Sequence, residues 1–470
     1  MQGSRPRAVI AMLATALLIA SCTGDPETST SDPEQSDPAQ SPSATPSDTT
    51  EAPQAPLAII VHPSRGAIDV NVATARRVEA GDIRNWRQLG EPAGPIRLID
   101  RRSDPGRLRR VASDVNAIAT VPATALDPRV RAVVIDGIDP LAEPERYPLL
   151  VPGDEPPRPV TVTVAGDVML ARGVAETMGD DPFAPFRPTA QRLASADLTV
   201  ANLESSLSQD GAPIQGTDSF GADPEVLRGL ERAGFDVLSL ANNHVGDYGP
   251  IALEQTLRRI DRSSIERVGA GFSLKDASAP TVVEIRGTRI GFVAFNSIGE
   301  APAATASSAG TVQLRMPPRT GPFSRDDLNA LTREVRDLAQ RVDIVVVIPH
   351  WGDQYVSRPN ELQRRVAGQL ADAGATAVLG GHPHWVQGME MIDDTLVAYS
   401  LGNFIFDMDF SEPTMQGIAL ELTFWGDRLM AATPVPAVID PSFAPRFVGD
   451  DRGADILDDV WLNSYGSFRP

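Results

Sequence analysis

Five times between residues 160 and 384 a short apolar run of strand type stops at a cluster of polar side chains, and no other feature constrains the fold as much. Residues 160–165 lead into Gly166-Asp167, residues 197–201 into Asn202-Leu203-Glu204, and residues 235–241 into Asn242-Asn243-His244. Residues 342–349 lead into His350-Trp351-Gly352, and residues 376–379 into Gly380-Gly381-His382-Pro383-His384. Between these runs, the stretches 224–233, 250–262, 325–341 and 358–373 repeat apolar residues at spacings of three and four, which predicts amphipathic helices. Alternating strands and helices predict an α/β chain, and in such sheets ligands bind at the C-terminal ends of the strands, where the polar clusters stand. Residues 281–284 with 289–295, around Arg286-Gly287-Thr288, and residues 417–425 with 429–434 predict two hairpins, so an antiparallel element joins the sheet.

The strand ends present Asp167, Glu204, Asn243, His244, His350, His382 and His384, which include four of the five histidines in the chain. A single histidine after a strand is ordinarily a satisfied core or surface group. Four of them beside an Asp, a Glu and an Asn form a set. Carboxylate, imidazole and amide oxygen together suit a borderline divalent ion such as manganese, iron or zinc, whereas calcium prefers oxygen alone. His382 and His384 lie two apart in a loop, so they can face different ions or opposite sides of one. The two oxygens of Glu204 can bridge a pair of ions.

The phrases Gly166-Asp167-Val168-Met169-Leu170, Asn202-Leu203-Glu204, Ala241-Asn242-Asn243-His244 with Asp247-Tyr248-Gly249, and Val268-Gly269-Ala270-Gly271 occur in this order. His350-Trp351-Gly352 with Tyr355, His382-Pro383-His384 and Tyr399-Ser400-Leu401-Gly402-Asn403-Phe404 follow. The series resembles the calcineurin-like metallophosphoesterase superfamily and, within it, the CapA-type poly-γ-glutamate capsule synthesis family, over residues 160 to about 407. The resemblance implies a metallo-dependent phosphatase-like layered α/β sandwich. It places Asp167, Glu204 and His384 on one divalent ion and Glu204, Asn243, His350 and His382 on a second, with Asp167 and His244 catalytic and His244 the general acid.

The superfamily pattern has a histidine where this chain has Met169, so the first ion lacks one imidazole and the site holds one ion or two. Ala171 and Gln354 are smaller departures. Arg172 is either a contact to an anionic substrate or a solvated charge at a helix start, and Asn403 and Ser400 lie in a loop expected to wall the site. The family implies a metal-dependent hydrolase or transferase acting on an anionic cell-surface polymer or its phosphorylated precursor. The alternative is a non-catalytic polymer-binding or scaffold subunit working with membrane capsule synthase subunits.

The N-terminal segment reads as an address. Arg5 and Arg7 precede the apolar run 8–20, thirteen residues that suit a secretory signal and fall short of the roughly 20 needed to span a bilayer. The run ends in Ile19-Ala20-Ser21-Cys22, which resembles the bacterial lipobox, and Cys22 is the only cysteine in the chain. Residues 1–22 are therefore read as a lipoprotein signal. The implied diacylglyceryl group on Cys22 anchors the protein to the extracytoplasmic face of the cell membrane. Residues 23–56 are rich in Ser, Thr, Pro and acidic residues, with no large apolar side chain, and predict a disordered tether. Its 34 residues give a reach of about 30 Å.

Residues 57–150 contain strand-like runs at 57–61, 96–99 and 132–135, and the joint 151–159, with four prolines, ends them. The phrases Glu79-Ala80-Gly81-Asp82-Ile83-Arg84-Asn85-Trp86, Pro95-Ile96-Arg97-Leu98-Ile99-Asp100-Arg101, Val133-Val134-Ile135-Asp136-Gly137 and Arg146-Tyr147-Pro148-Leu149 resemble phosphate-binding solute proteins of ABC transporters. The segment is short for that family, and its phosphate loop is degraded at Arg102-Ser103-Asp104-Pro105-Gly106. A packing or docking module is expected, followed by a metallophosphatase-like domain at 159–440 and a C-terminal extension at 441–470. The net charge of -20 argues against nucleic acid as a partner.

Overall fold

The computed structural model describes residues 53–99 and 106–470. Cys22, most of the tether and residues 102–105 of the degraded phosphate loop lie outside the described residues.

The two central strands show why the chain forms layers. In Ile344–His350, the side chains of Ile344, Val346 and Ile348 enter one core, and those of Val345 and Val347 enter another. Thr288–Asn296 divides in the same way, with Ile290, Phe292 and Ala294 on one side and Val293 and Phe295 on the other. Period-two alternation with both sets apolar is the signature of a sheet covered on both faces.

That sheet runs Thr281–Ile285, Thr288–Asn296, Ile344–His350, Ala377–Leu379, Thr395–Ala398, Met389–Ile392. A second sheet runs Glu266–Val268, Val237–Ser239, Leu198–Leu203, Val160–Val168, Gln416–Trp425, Arg428–Ile439, Pro445–Phe447, and Asn403–Ile405 also pairs with Val160–Val168. The sheets face each other across Val162, Val164, Val200, Phe292, Val346 and Leu396. Helices Val226–Ala233 and Gly249–Ile260 cover the outer face of the second sheet through Leu230, Leu253 and Leu257. Helices Arg325–Ala339 and Glu361–Asp372 cover the first through Leu331, Val335, Val366 and Leu370. The result is the mixed α/β layered sandwich expected from the sequence. Both predicted hairpins form, as Thr281–Ile285 with Thr288–Asn296 and Gln416–Trp425 with Arg428–Ile439.

Helix starts follow local chemistry. The Ser324 side chain accepts from Asp327 N, and Asn360 with Gln363 closes a reciprocal capping box, each satisfying amide donors left open by the first turn.

Two boundaries differ from the sequence reading. Gln54–Pro56, assigned to the tether, belong to the strand Gln54–Val61 and pair antiparallel with Leu150–Pro152. The joint therefore begins inside a strand. Composition concealed this because the ladder is made by backbone groups, and a proline is tolerated where its missing N–H faces no partner.

Strands Gln54–Val61, Arg97–Leu98, Ala117–Pro122, Arg131–Ala132 and Leu150–Pro152 form the sheet of the N-terminal region, with Ile59, Val61, Trp86, Ile135 and Tyr147 on one face. On the other face Ala58, Ile60 and Val121 pack with Trp425 and Met430 of the late hairpin, and Trp425 Nε1 donates to Leu141 O at 3.0 Å. Residues beyond 440 also enter the body: helix Asp450–Asn463 places Ile456, Val460 and Trp461 in the core between the sheets, and Phe468 joins them.

Candidate metal centre

The parallel strands of both sheets end at one edge, and their registers set the site. Asp167 lies opposite Asn202 on one side and Asn403 on the other, and Asn296 lies opposite His350. Asp167 is fully buried and accepts hydrogen bonds from His382 N at 3.0 Å and Asn202 Nδ2 at 2.9 Å. His350 Nε2 is 2.8 Å from Asn243 Oδ1 and 3.4 Å from Glu204 Oε1. His384 Nδ1 is 2.9 Å from Asn403 Oδ1 and 3.9 Å from Asp167 Oδ2.

The loop that delivers the last two imidazoles is conformationally costly. His382 and His384 have φ of 95° and 57°, a region that side-chain-bearing residues seldom occupy and that recurs at functional sites. Gly381 precedes them, and a Cβ there would collide with Asp167 Oδ1. Only glycine lets the loop close this tightly on the carboxylate.

Two ligand groups result. Glu204, His350 and His382 present atoms within 4.8 Å of one another, and so do Asp167, Glu204 and His384. Glu204 is common to both. It is fully buried, yet neither of its carboxylate oxygens has a hydrogen-bond partner among the described residues, and the same holds for His382 Nδ1. Buried polar atoms are nearly always paired, and an unpaired buried carboxylate is strongly disfavoured.

The electrostatics agree. Burial, and then the charge of Glu204, pushes Asp167 up to about 7. Burial raises Glu204 as well. Burial lowers His350 to about 4 and holds His382 and His384 below the usual imidazole range. Burial by the protein alone thus disfavours the charged forms of these carboxylates and imidazoles. A divalent cation reverses both preferences, because it favours ionised carboxylate and requires unprotonated imidazole. The residues present fit a divalent metal ion. Met169 contributes nothing to it: its side chain is buried in the core, and its sulfur accepts from Ala171 N at 3.1 Å.

His244 stands beside these groups, its Nε2 3.9 Å from Glu204 Oε1. Its Nδ1 lies 2.8 Å from Asp247 Oδ2, which also accepts from Phe220 N at 2.7 Å, while Gln215 Nε2 donates to Asp247 Oδ1 at 2.6 Å. The imidazole stacks on the Phe220 ring with centroids 3.9 Å apart, and the Arg172 guanidinium lies 4.4 Å from that ring's centroid.

The two residues read as substrate contacts are both engaged within the protein. Arg172 pairs with Asp407 through Nε and a terminal nitrogen and reaches Asp218 at 3.4 Å. Asn403 orients His384 and donates to Thr414 O at 2.9 Å, and Ser400 Oγ accepts from Gly402 N. Sequence reasoning gave Asn202 no role of its own and passed over Gln215, Phe220 and Asp407. Asp247 carried a usable signal, three residues after His244.

Residues 161–408 match the family described as bacterial capsule synthesis protein PGA_cap. The chain belongs to that family. Capsule biosynthesis protein CapA of Bacillus anthracis is 31% identical over 260 residues, covering 54% of this chain and 61% of that protein. PGA biosynthesis protein CapA of Bacillus subtilis (strain 168) is 29% identical over 259 residues, covering 54% and 64%. The match thus spans less than two thirds of these curated relatives. Among solved structures, the 5'-nucleotidase from Candida albicans SC5314 aligns over 60% of this chain and 53% of that one, with 13% identity and a TM-score of 0.36. The buried cluster lies wholly within the capsule synthesis region, and its ligands come from the strand ends that the family match spans.

Proposed function

We propose that this member of the capsule synthesis family is a metal-dependent hydrolase or transferase acting on an anionic cell-surface polymer or its phosphorylated precursor. The observation that carries the reading is Glu204, whose two buried oxygens lack hydrogen-bond partners among the described residues and which is shared by both ligand groups. Asp167, Glu204, Asn243, His350, His382 and His384 would hold one or two ions of manganese, iron or zinc. Such an ion, when bound, supplies Lewis acidity toward a phosphoryl oxygen and toward water.

The remaining work belongs to the chain. Asp247 holds Nδ1 of His244, so Nε2 is the nitrogen turned to the centre. There it can give a proton to a leaving oxygen. The Phe220 stack and the Gln215 contact to Asp247 restrict rotation of this pair. The full chain loaded with manganese, iron or zinc is expected to hydrolyse a small phosphoester and to lose turnover on chelation. Loaded protein with no turnover on phosphoesters or γ-glutamyl amides would contradict the enzyme reading.

Met169 supports a second reading, a non-catalytic polymer-binding or scaffold subunit of a capsule synthase. A thioether engaged with a backbone amide leaves one ligand position of the first ion unfilled.

The working location is proposed as the extracytoplasmic face of the membrane, through lipid on Cys22. No helix among the described residues is long and apolar enough to cross a membrane. Cys22→Ala should move the protein from the membrane fraction to the soluble fraction of the envelope, and unchanged membrane association would overturn the anchor.

A further inference from the structure

Two carboxamides lie behind the ligand groups without belonging to them. Asn202 is 6% exposed and Asn242 is fully buried, so both work from inside the protein rather than on a substrate. Asn202 lies near the end of strand Leu198–Leu203, opposite Asp167, and Asn242 follows the neighbouring strand Val237–Ser239.

The backbone fixes how both amides are turned. The N–H groups of His244 and Val245 each donate to Asn242 Oδ1 at 3.0 Å, and a backbone N–H needs an acceptor, so the oxygen must face them. Asn242 Nδ2 then donates to Leu203 O at 2.7 Å and to Asn202 Oδ1 at 3.0 Å. This settles Asn202 in turn: its Nδ2 donates to Asp167 Oδ1 at 2.9 Å and lies 3.3 Å from His350 Nδ1. Asn242 thus makes all four hydrogen bonds open to a carboxamide. A buried polar network whose members are satisfied is rigid and holds one arrangement.

The pair reaches further than either member. Asn242 holds the carbonyl just before Glu204 and the amides just after Asn243, while Asn202 touches Asp167 and His350. Asp167, Glu204 and Asn243 stand at strand ends of one sheet and His350 at a strand end of the other. A site assembled from two sheets needs groups behind its ligands to hold them in place before an ion arrives.

We propose that Asn202 and Asn242 form a two-amide relay that positions the ligands of the two sheets and the His244 loop as one unit. Both are positioning residues, acting through Asp167, His350 and the backbone at Leu203, His244 and Val245. This rests on the reading that the cluster holds a divalent ion, and it adds what preorganises the cluster.

The test compares the full-length wild type with Asn202→Ala, Asn242→Ala and the double variant in two measurements. Calorimetric titration of metal-stripped protein with manganese reads affinity. Each single change should weaken binding roughly ten- to hundredfold, the usual cost of removing a group that holds a ligand, and the double variant should lose no more than the larger single loss. Amide hydrogen exchange on metal-free protein reads the relay without an ion. Asn202 touches neither the His244 nor the Val245 amide, yet Asn202→Ala should speed exchange of both by roughly three- to tenfold, the scale of one hydrogen bond. Serine, which leaves a smaller void, replaces alanine at either position if circular dichroism shows lost structure. Affinity losses that add, or unchanged exchange at His244 and Val245 in Asn202→Ala, would overturn the relay. Wild type that takes up no manganese counts against the metal reading instead, and faster exchange in Asn202→Ala then still supports the relay.

Discussion

Glu204→Gln is expected to shift thermal stability in opposite directions with and without metal. In chelated wild type, the buried carboxylate has no hydrogen-bond partner for either oxygen among the described residues, and burial disfavours its charged form. The neutral isostere removes that cost, and the metal-free variant should be more stable than metal-free wild type by roughly 1 to 3 kcal/mol. With metal the order reverses. A ligand that binds only the folded state stabilises by roughly 3 to 4 kcal/mol when present at about 100 to 1,000 times its Kd, and a variant that cannot bind it forfeits this gain. Thermal unfolding of both proteins, with chelator and with saturating manganese or zinc, reads the crossing. Parallel shifts in the two conditions would mean that Glu204 is a structural residue.

His244→Ala should lower turnover by roughly two to four orders of magnitude, the usual range for a positioned general acid, and should leave metal content intact. His244 belongs to neither ligand group, and its nearest approach to Glu204 is 3.9 Å. Asp247→Asn should impair turnover in the same direction with the imidazole still present. Asp247 Oδ2 holds His244 Nδ1 and accepts from the Phe220 amide while Oδ1 accepts from Gln215 Nε2, and a carboxamide, with one oxygen, cannot accept on both sides. Circular dichroism and metal analysis on both variants separate lost chemistry from lost structure. Unchanged turnover in His244→Ala would remove it from the reaction, and metal loss would make it a ligand.

The strands and helices of the sandwich were legible because burial on both faces leaves continuous apolar runs, and each run that ends at the site stops at polar residues. The buried cluster was legible for the same reason, since its members lie at or just after strand ends. The supporting residues were not. Gln215 and Phe220 lie between Leu203 and Val226 in a stretch with no helix or strand longer than a single turn, so no periodicity marks them. Arg172 looked like a free cation because Asp407, its partner, is 235 residues away. Trp425 gave no sign that it would donate to Leu141. Pairings this distant are set by tertiary packing, which local pattern does not report.

The acidic composition argues against nucleic acid as a partner, but it does not set the sign of the ligand at the centre. Seven of the acids lie in residues 23–56, and charges farther than about 8 Å are largely screened at physiological salt. A ligand at the centre would meet the imidazoles and any bound cation.

The central claim is that the buried cluster holds divalent metal through Glu204. Elemental analysis of wild type and Glu204→Gln, purified side by side without chelator, tests it directly. One to two equivalents of manganese, iron or zinc per wild-type chain and a substoichiometric amount in the variant are the predicted result. Metal-free wild type that takes up no ion on reconstitution, or equal metal in both proteins, would contradict it.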